Sequence, residues 1–499
     1  FYLVLQPLPT CRVLRQHFMF VYYYYYRYLL FHVKKVNPLQ YSLSDMSTLQ
    51  QVDKLCPYAL SKEPHPVDQP ALAAFQKLYP LAVPAVLDYS RGMYSPELHY
   101  SSLMRYARPL SDDARIRDQL SNDLTLAYAL QHAKNQLRAA FSVTATSASR
   151  LDDVPFIGKS VAGYGYIGSK ADNYLLARSR ATANLANFRK FGSALRHTPS
   201  LAFARCQLAP ISDPKVRHVW ATPFHQILLE GCIAAPILES LTRQPSPFAI
   251  GLNPFKDLPH TLSSLLEVTG FVACIDYSAF DSSIHPWWFQ QFFDFIKEAV
   301  TFPNNFTSLL PDYCLDALSR TPVLMPDGRL WLCTSGLPSG SYFTSLIGSF
   351  VNLVLCFYLQ LKIFKKVTPT NVLGDDSVFY CPTLLDLNQA QALLAPFGFT
   401  INTAKSLVTN SLPVVSYLGH NIRGSSLSRP EWKALLLAML PEETVTDPSE
   451  SLLRLLSINV DCGYTSSALL RIINQLIEDN PDVRIPPGFG NPPYFAHSV

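Results

Sequence analysis

Hydrophobic and polar positions along the chain predict short strands that alternate with helices. Residues 271–275 (FVACI) form an apolar, strand-like run that ends at Asp276, and residues 371–380 (NVLGDDSVFY) predict two strands joined by a tight turn. Residues 334–359 predict a Gly/Ser/Pro-rich loop that leads into a long apolar helix. This order of elements favours a mixed α/β (α+β) fold.

The remaining pattern is mostly helical. Residues 111–141 begin with Ser and Asp, which favour helix N-termini, and residues 428–480 keep helical spacing almost throughout. Residues 384–406 predict a helix followed by a strand, and residues 414–422 predict a short hairpin. Residues 46–110 are proline-rich, which predicts an extended arm with short helices.

Composition favours a packed globular protein, because 48% of the 499 residues are hydrophobic and 16% are charged. The net charge of +4 does not by itself mark a nucleic-acid-binding protein. However, residues 173–212 contain several arginines and no acidic residue, which indicates a surface that faces a polyanion. The ten cysteines lack the spacing of zinc sites or disulfide frameworks, so a reducing compartment fits better.

Residues 1–45 differ from the rest of the chain. They contain five consecutive tyrosines, and their apolar stretch at 18–33 is interrupted by Arg27 and is shorter than the about 20 residues that span a bilayer. We expect this segment to be translated from upstream sequence or to be unstructured, with Met46 as the natural start. A membrane anchor is the alternative interpretation.

The adjacent carboxylates Asp375 and Asp376 are candidates for catalytic chemistry. Alone, they are more typical of an ordinary β-turn. A third carboxylate, Asp276, ends a predicted neighbouring strand, and together the three would offer the hard oxygen ligands that Mg²⁺ prefers. Two such ions can activate a 3′-hydroxyl and neutralise a leaving pyrophosphate. We therefore predict Asp276 and Asp375 as metal ligands and Asp376 as an auxiliary ligand.

Several motifs, in order, resemble those of viral RNA-dependent RNA polymerases. The segments that resemble palm motifs A to D are Asp276-x4-Asp281, PSGSYFT (338–344), the Gly-Asp-Asp hairpin and the region of Lys405. KVRHVW (215–220) stands where the basic fingers motif belongs, and SYLGH (416–420) resembles the motif that follows the palm. With AGYGYIGSK (162–170), the set is similar to partitivirus-like polymerases of double-stranded RNA viruses.

The resemblance implies a right-hand polymerase with fingers, a ferredoxin-like antiparallel palm and a helical thumb. We accordingly expect four parts after the first 45 residues. They are an N-terminal arm with fingers-associated helices (46–150), the fingers (151–270), the palm (271–425, with a fingers insertion at about 286–330) and the thumb (426–499).

The resemblance also implies residue roles. Lys405 would join the three aspartates as a catalytic residue and would donate a proton to pyrophosphate as the general acid. The alternative is that Lys405 is an ordinary exposed lysine at the end of a strand. The residues expected to bind NTP, at its triphosphate or its ribose, are Lys215, Arg217, Asp281, Ser339, Gly340, Thr344 and Asn352. The residues expected to contact RNA are Lys159, Lys170, Arg178, Arg180 and His420.

Two of these residues have alternative roles. Many RNA polymerases place Asn four residues after the Thr of motif B, where this chain has Gly348 and carries Asn352 one turn later. Asn352 is therefore also a candidate for ordinary hydrogen bonding in the core. His420 is also a candidate structural residue.

The implied activity is template-directed transfer of nucleoside monophosphates to an RNA 3′-end, with two Mg²⁺ ions or Mn²⁺ in their place. The implied partners are the RNA template, the product duplex, NTPs and the viral capsid protein, and no membrane partner is expected. The implied location is the host cytoplasm, within the virion. A reverse transcriptase is one alternative, but it would favour a bulky residue near the sugar, where Asp281 is small. A non-catalytic RNA-packaging protein is another, against which the complete set of three aspartates argues.

Overall fold

The computed structural model describes residues 46–60, 62–193, 197–252, 257, 270–423 and 426–484, so the predictions for residues 1–45 and for the last 15 residues lie outside the described residues. The described helices are α1 (Gln69–Leu78), α2 (Val83–Leu87), α3 (Pro96–Met104), α4 (Leu110–Asn122), α5 (Leu124–Phe141), α6 (Tyr174–Phe191), α7 (Phe224–Arg243), α8 (Phe280–Ser283), α9 (Pro286–Ala299), α10 (Leu310–Ser319), α11 (Thr344–Phe364), α12 (Leu387–Leu394), α13 (Glu431–Met439), α14 (Pro448–Asp461) and α15 (Ser467–Asp479).

The described strands are β1 (Leu49–Lys54), β2 (Tyr89–Ser90), β3 (Ser200–Gln207), β4 (Ala209–Pro210), β5 (Lys215–Ala221), β6 (Phe271–Ile275), β7 (Tyr277–Ser278), β8 (Thr321–Leu324), β9 (Arg329–Cys333), β10 (Thr370–Leu373), β11 (Asp376–Cys381), β12 (Thr400–Ile401), β13 (Leu407–Thr409), β14 (Ser416–Tyr417), β15 (His420–Arg423) and β16 (Ser426–Ser428).

A four-stranded antiparallel sheet, in the order β10-β11-β6-β13, forms the centre of the predicted palm. The predicted hairpin is present, with Leu373 opposite Asp376 and a two-residue turn between them. Gly374 takes the first turn position with a φ of +60°, which glycine adopts without steric cost. Ser377 pairs with Ile275, so the register places Asp276 beside the turn.

Helix α11 supports this sheet from one side. It is apolar on all faces, and every residue from Leu346 to Gln360 is buried, as expected for a helix surrounded by protein. The helix packs against α5, β10 and β11. It is long and apolar enough to cross a membrane, but 83% of its apolar window is buried inside the protein, which is typical of a core helix.

A second sheet, in the order β1-β9-β8-β3-β5, belongs to the predicted fingers. Strand β5 alternates between two faces, so that Lys215 and Arg217 are exposed while Val216, His218 and Trp220 are buried. Strand β1 of the N-terminal arm completes the other edge by pairing with β9. The arm therefore contributes a strand to the fingers.

The N-terminal arm also contacts the predicted thumb, which the sequence pattern did not indicate. Helix α1 shares one hydrophobic core with α13, α14 and α15, in which Phe75 packs with residues such as Leu455 and Ile472. Asp68 begins α1 by accepting a hydrogen bond from the Ala71 amide at 3.1 Å. The thumb is thus completed by a helix from the other end of the chain.

Asp68 is fully buried and joins the arm to the thumb. Its carboxylate accepts a hydrogen bond from Ser451 Oγ at 2.6 Å and forms an ion pair with Arg454 on α14. Replacing Asp68 with Ala would leave Arg454 partly buried without this partner. We expect Asp68→Ala to lower the free energy of unfolding by about 3–5 kcal/mol in urea denaturation.

The matched control for this prediction is Asp112→Ala. Asp112 pairs with Arg115 on the surface, where the two side chains are 48% and 71% exposed. Its loss should change the free energy of unfolding by no more than about 1 kcal/mol. Equal effects of the two substitutions would contradict the role given to Asp68.

Candidate active site

Four carboxylates from three segments of the palm lie close enough to influence one another. Asp276 follows β6, Asp281 lies in α8, and Asp375 and Asp376 lie at the hairpin turn. Burial, and then the charge of Asp375, raises the pKa of both Asp281 and Asp376 to about 6, although Asp376 remains solvent-accessible. Burial also raises the pKa of Asp276, and Asp375 adds to this effect. The structure therefore brings together the acidic residues that the sequence predicted.

Two of the predicted cations face this acidic cluster. The guanidinium of Arg217, from β5, lowers the pKa of Asp276, Asp281 and Asp376. Lys405 lowers the pKa of Asp276. Arg217 thus approaches the cluster from β5 of the second sheet, while Lys405 lies between β12 and β13.

Two other lysines complete the description of the charged groups, one predicted for NTP binding and one not predicted. Lys215 is exposed on the same face of β5 as Arg217, but its Nζ lies 3.6 Å from Asp213. Lys433, on α13 of the thumb, lowers the pKa of Asp376 and was not predicted. A single lysine on an amphipathic thumb helix carries no local signal of this placement.

The acidic cluster fits a hard divalent cation as a partial ligand set. Among the residues that the structure describes, no three His, Cys, Asp or Glu side chains converge closely enough to form a complete metal site. Mg²⁺ commonly takes one or two protein carboxylates and completes its shell with substrate phosphates and water. The mutual repulsion of Asp276 and Asp375 indicates a site that gains stability when a cation binds.

Helix α11 holds the Asp-Asp turn through two side chains. Ser349 Oγ accepts a hydrogen bond from the Gly374 amide at 2.8 Å. Asn352 Nδ2 donates to the carbonyls of Gly374 and Asp376, at 3.0 and 3.1 Å. Asn352 is fully buried, and its amide is engaged with the turn. The structure therefore favours the alternative role in core hydrogen bonding over the expected contact with ribose.

Gly348 lies next to this contact. A Cβ at Gly348 would lie 3.4 Å from Gly374 Cα, an ordinary van der Waals contact, so this face of α11 lies directly against the turn. Ser349 was missed in the sequence, although two polar residues one helical turn apart in an apolar run are a detectable signal.

The predicted loop before α11, residues 335–343, is here called the Gly-Ser loop. The amide of Leu337 donates to the Asp281 carbonyl at 2.8 Å, and the Trp220 amide of β5 donates to Ser339 Oγ at 3.4 Å. A Cβ at Gly340 would lie 1.6 Å from the Trp220 carbonyl oxygen, so only glycine fits there. The loop therefore connects the segment of Asp281 with the strand of Arg217.

Thr344 is tied to the same loop. Its hydroxyl lies 2.8 Å from the carbonyl oxygens of both Pro338 and Ser341, to which it donates. The expected ribose and triphosphate residues Asp281, Ser339, Gly340, Thr344 and Arg217 thus lie on contiguous segments, whereas Asn352 lies behind the turn.

Most of the basic residues predicted to contact RNA are also engaged with the protein. Lys170 lies over the ring of Phe224 at 5.8 Å, and Arg180 lies over the ring of Tyr166 at 4.5 Å. Arg178 is 3.4 Å from Asp152. Cations stacked on aromatic rings keep part of their surface in solvent, and Lys159 is exposed. Their contacts with RNA stay a prediction.

His420 is placed differently from an RNA-contacting residue. It is buried, and its Nε2 lies 3.0 Å from Asp461 Oδ1 on α14. Asp461 also pairs with Arg429. The structure thus favours the structural alternative for His420, which joins β15 to the thumb.

Asp281 generates a pH-dependent prediction. Its pKa of about 6 in the folded protein exceeds the ordinary value of 3.8, so its ionised form is destabilised by folding. The resulting loss of stability begins as pH rises above about 4 and is complete above about 6. Without divalent cations, we expect Asp281→Asn to melt about 1–2 °C above the unsubstituted protein at pH 7.5 and to match it at pH 4.

The same substitution at exposed Asp112 serves as the control, because its difference in melting temperature should stay flat across this pH range. A lower melting temperature of Asp281→Asn at pH 7.5 would show that Asp281 stabilises the metal-free fold.

Asn352 generates a second prediction. Asn352→Leu keeps the buried side chain similar in size but removes the donor to two carbonyls in part-buried hydrogen bonds, at a cost of about 1–3 kcal/mol. We expect faster hydrogen–deuterium exchange in residues 373–377, with unchanged exchange in β3 and β5. An unchanged rate in the turn would mean that α11 does not hold it.

Comparisons with known proteins identify relatives among viral RNA polymerases. The profile of the family described as viral RNA-dependent RNA polymerase matches residues 62–477. The RNA-directed RNA polymerase of Cryptosporidium parvum virus 1 (strain KSU-1) is 29% identical over 199 residues, which cover 38% of this chain and 37% of that protein. The genome polyprotein of Encephalomyocarditis virus is 30% identical over 229 residues, which cover 43% of this chain and 10% of the polyprotein. The matched regions thus span less than half of either relative.

The fold is similar to solved structures over most of its length. The crystal structure of the RNA-dependent RNA polymerase of a human picobirnavirus matches with a TM-score of 0.58 and 17% identity, over 84% of this chain and 85% of that one. Its insertion-loop deletion mutant gives the same TM-score at 16% identity, over 84% and 87%. These matches confirm the predicted right-hand polymerase fold. With a profile match across most of its length, the chain belongs to the viral RNA-dependent RNA polymerase family.

Proposed function

We propose that this protein is an RNA-directed RNA polymerase that adds nucleoside monophosphates to an RNA 3′-end and releases pyrophosphate. The observation that carries the proposal is the convergence of Asp276, beside the Asp375 turn by strand register, with Arg217 of β5, which is near enough to lower the pKa of Asp276. Carboxylates for a cation and an arginine for a polyphosphate are the groups that nucleotidyl transfer requires. Membership of the family supports the same activity.

Each side chain of the site has a role that follows from its position. Asp276 and Asp375, with Asp376 beside them, would hold two Mg²⁺ ions or Mn²⁺ in their place, and bound cations of this kind activate a hydroxyl and neutralise pyrophosphate. Arg217 binds the triphosphate through paired hydrogen bonds. Lys405, near Asp276, supplies a proton to the departing pyrophosphate.

Selection of ribose belongs to the Gly-Ser loop and Asp281. Asp281 accepts a hydrogen bond from the 2′-hydroxyl, and Ser339 lies on the loop that is bonded to the Asp281 backbone. A reverse transcriptase, the main alternative, would crowd this position with a bulky side chain. The small polar Asp281 and the ordered loop beside it favour RNA precursors.

The biological setting extends the proposal. The motifs similar to those of partitivirus-like enzymes support replication and transcription of a double-stranded RNA genome. We propose that this occurs inside the virion in the host cytoplasm, beside the capsid protein. The exposed Lys159, with Arg178 and Arg180 nearby along the chain, would contact the template or the product duplex.

The test is RNA synthesis by the purified full chain from a single-stranded RNA template, four NTPs and Mg²⁺. We expect labelled product with the unsubstituted protein and none above background with Asp375→Ala, because a ligand of the reacting centre is lost. Asp118→Ala, which removes an exposed carboxylate on α4, should keep full activity.

Parallel reactions with dNTPs separate the alternatives. Preferential use of dNTPs would indicate a reverse transcriptase. RNA binding without synthesis under any of these conditions would indicate a packaging protein. Appreciable synthesis by Asp375→Ala would contradict the proposed role of this carboxylate.

A further inference from the structure

A buried glutamate outside every recognised motif contacts the Gly-Ser loop. Glu230 lies on α7 and is 0% exposed. Its Oε2 accepts hydrogen bonds from Ser341 Oγ at 2.8 Å and from the Tyr342 amide at 2.7 Å. Its Oε1 accepts one from Gln226 Nε2 at 2.8 Å. Because all three partners donate, the carboxylate acts here purely as an acceptor.

The surroundings explain how this carboxylate is accommodated. Burial raises the pKa of Glu230, and the three hydrogen bonds oppose that effect. The Tyr342 amide lies two residues before the first residue of α11, near the end of the helix where the positive pole of the dipole also favours a negative charge. Ser341 Oγ in turn accepts a hydrogen bond from the Phe343 amide at 3.1 Å, so the contacts form one connected network.

The packing around this network leaves little freedom. A Cβ at Gly231 would lie 2.4 Å from Val154 Cγ1 and 3.1 Å from Tyr342 Cε2, so α7 approaches the loop closely. The Tyr342 hydroxyl also donates to the Pro155 carbonyl at 2.9 Å. The C-terminal half of the loop is thus fixed by the fingers, while its N-terminal half is bonded to Asp281.

We propose that Glu230 is a positioning residue for ribose selection. By holding Ser341 and Tyr342, it keeps Ser339 and Gly340 against β5 and beside Asp281, where the sugar of the incoming nucleotide is read. The inference rests on the proposed polymerase function and extends it to a residue that touches no substrate. Small displacements of such positioning elements are enough to change reaction rates.

The experiment uses the full chain and compares kcat/KM for an NTP with kcat/KM for the matching dNTP. We expect Glu230→Ala to lower this ratio by about tenfold, mainly through a higher KM for the NTP. Glu230→Gln should restore most of the ratio, because its oxygen can face Tyr342 while the Gln226 amide turns to accept the new donor. The matched control is Cys232→Ala, a fully buried position on the same helix, which should keep the ratio of the unsubstituted protein.

Hydrogen–deuterium exchange gives a readout that does not depend on activity. Residues 338–344 should exchange faster in Glu230→Ala than in Cys232→Ala, while β6 and β11 stay unchanged. A folded Glu230→Ala protein with an unchanged sugar ratio and unchanged loop exchange would overturn the inference. If Glu230→Ala does not fold, Ser341→Ala, which removes one of the contacts, decides by the same two measurements.

The two proposals fail in different ways. If the unsubstituted protein makes no RNA, the proposed function fails, and loop exchange alone then decides whether Glu230 positions the loop. If the unsubstituted protein prefers NTPs and the variants keep that preference, the inference about Glu230 fails while the function stands.

Discussion

Hydrogen bonds from one buried helix hold two adjacent carboxylates at a turn that also faces two further acidic groups. Ser349 and Asn352 contribute three contacts to the turn at Gly374, each worth about 1 kcal/mol net. Repulsion opposes this arrangement, because burial and then the charge of Asp375 raise the pKa of both Asp281 and Asp376. The helix behind the turn therefore supplies directional bonds, in addition to apolar packing, where like charges meet.

The need for a helix directly behind the turn explains the arrangement of the rest of the site. A helix that reaches the back of the turn must lie in the core, which accounts for its apolar character on all faces. The same helix begins at the Gly-Ser loop, so one rigid element sets the distance from the turn to the loop. The loop then contacts β5 where Gly340 meets Trp220, and β5 carries Arg217. A continuous series of contacts thus connects the turn that carries the carboxylates with the strand that carries the arginine.

Sequence reasoning succeeded where the signal is local or depends on chain order. The hairpin and α11 follow from short apolar runs and turn residues, and the convergence of Asp276 with Asp375 follows from the order of motifs and the register of neighbouring strands. It failed where contacts are distant in sequence. No residue near Asn352 in the sequence indicates that its amide bonds to a turn over 20 residues away. The proline-rich pattern of the arm likewise does not indicate that α1 packs into the core of the thumb. The ring contacts of Lys170 and Arg180 are likewise tertiary and have no local sequence signal.

Carboxylates also join the parts of this protein. Asp68 bonds the arm to the thumb, Glu230 bonds the fingers to the loop before α11, and Asp461 bonds the thumb to the strand of His420. Apolar contacts between the same parts tolerate sliding, because their energy depends on buried area and hardly on direction. Asp68 and Glu230 behave differently because both are fully buried, so a shift that removed their donors would leave a charge unpaired at a cost of several kcal/mol. These two groups therefore fix the register between the arm and the thumb and between α7 and the Gly-Ser loop, and that loop links the segment of Asp281 with the strand of Arg217.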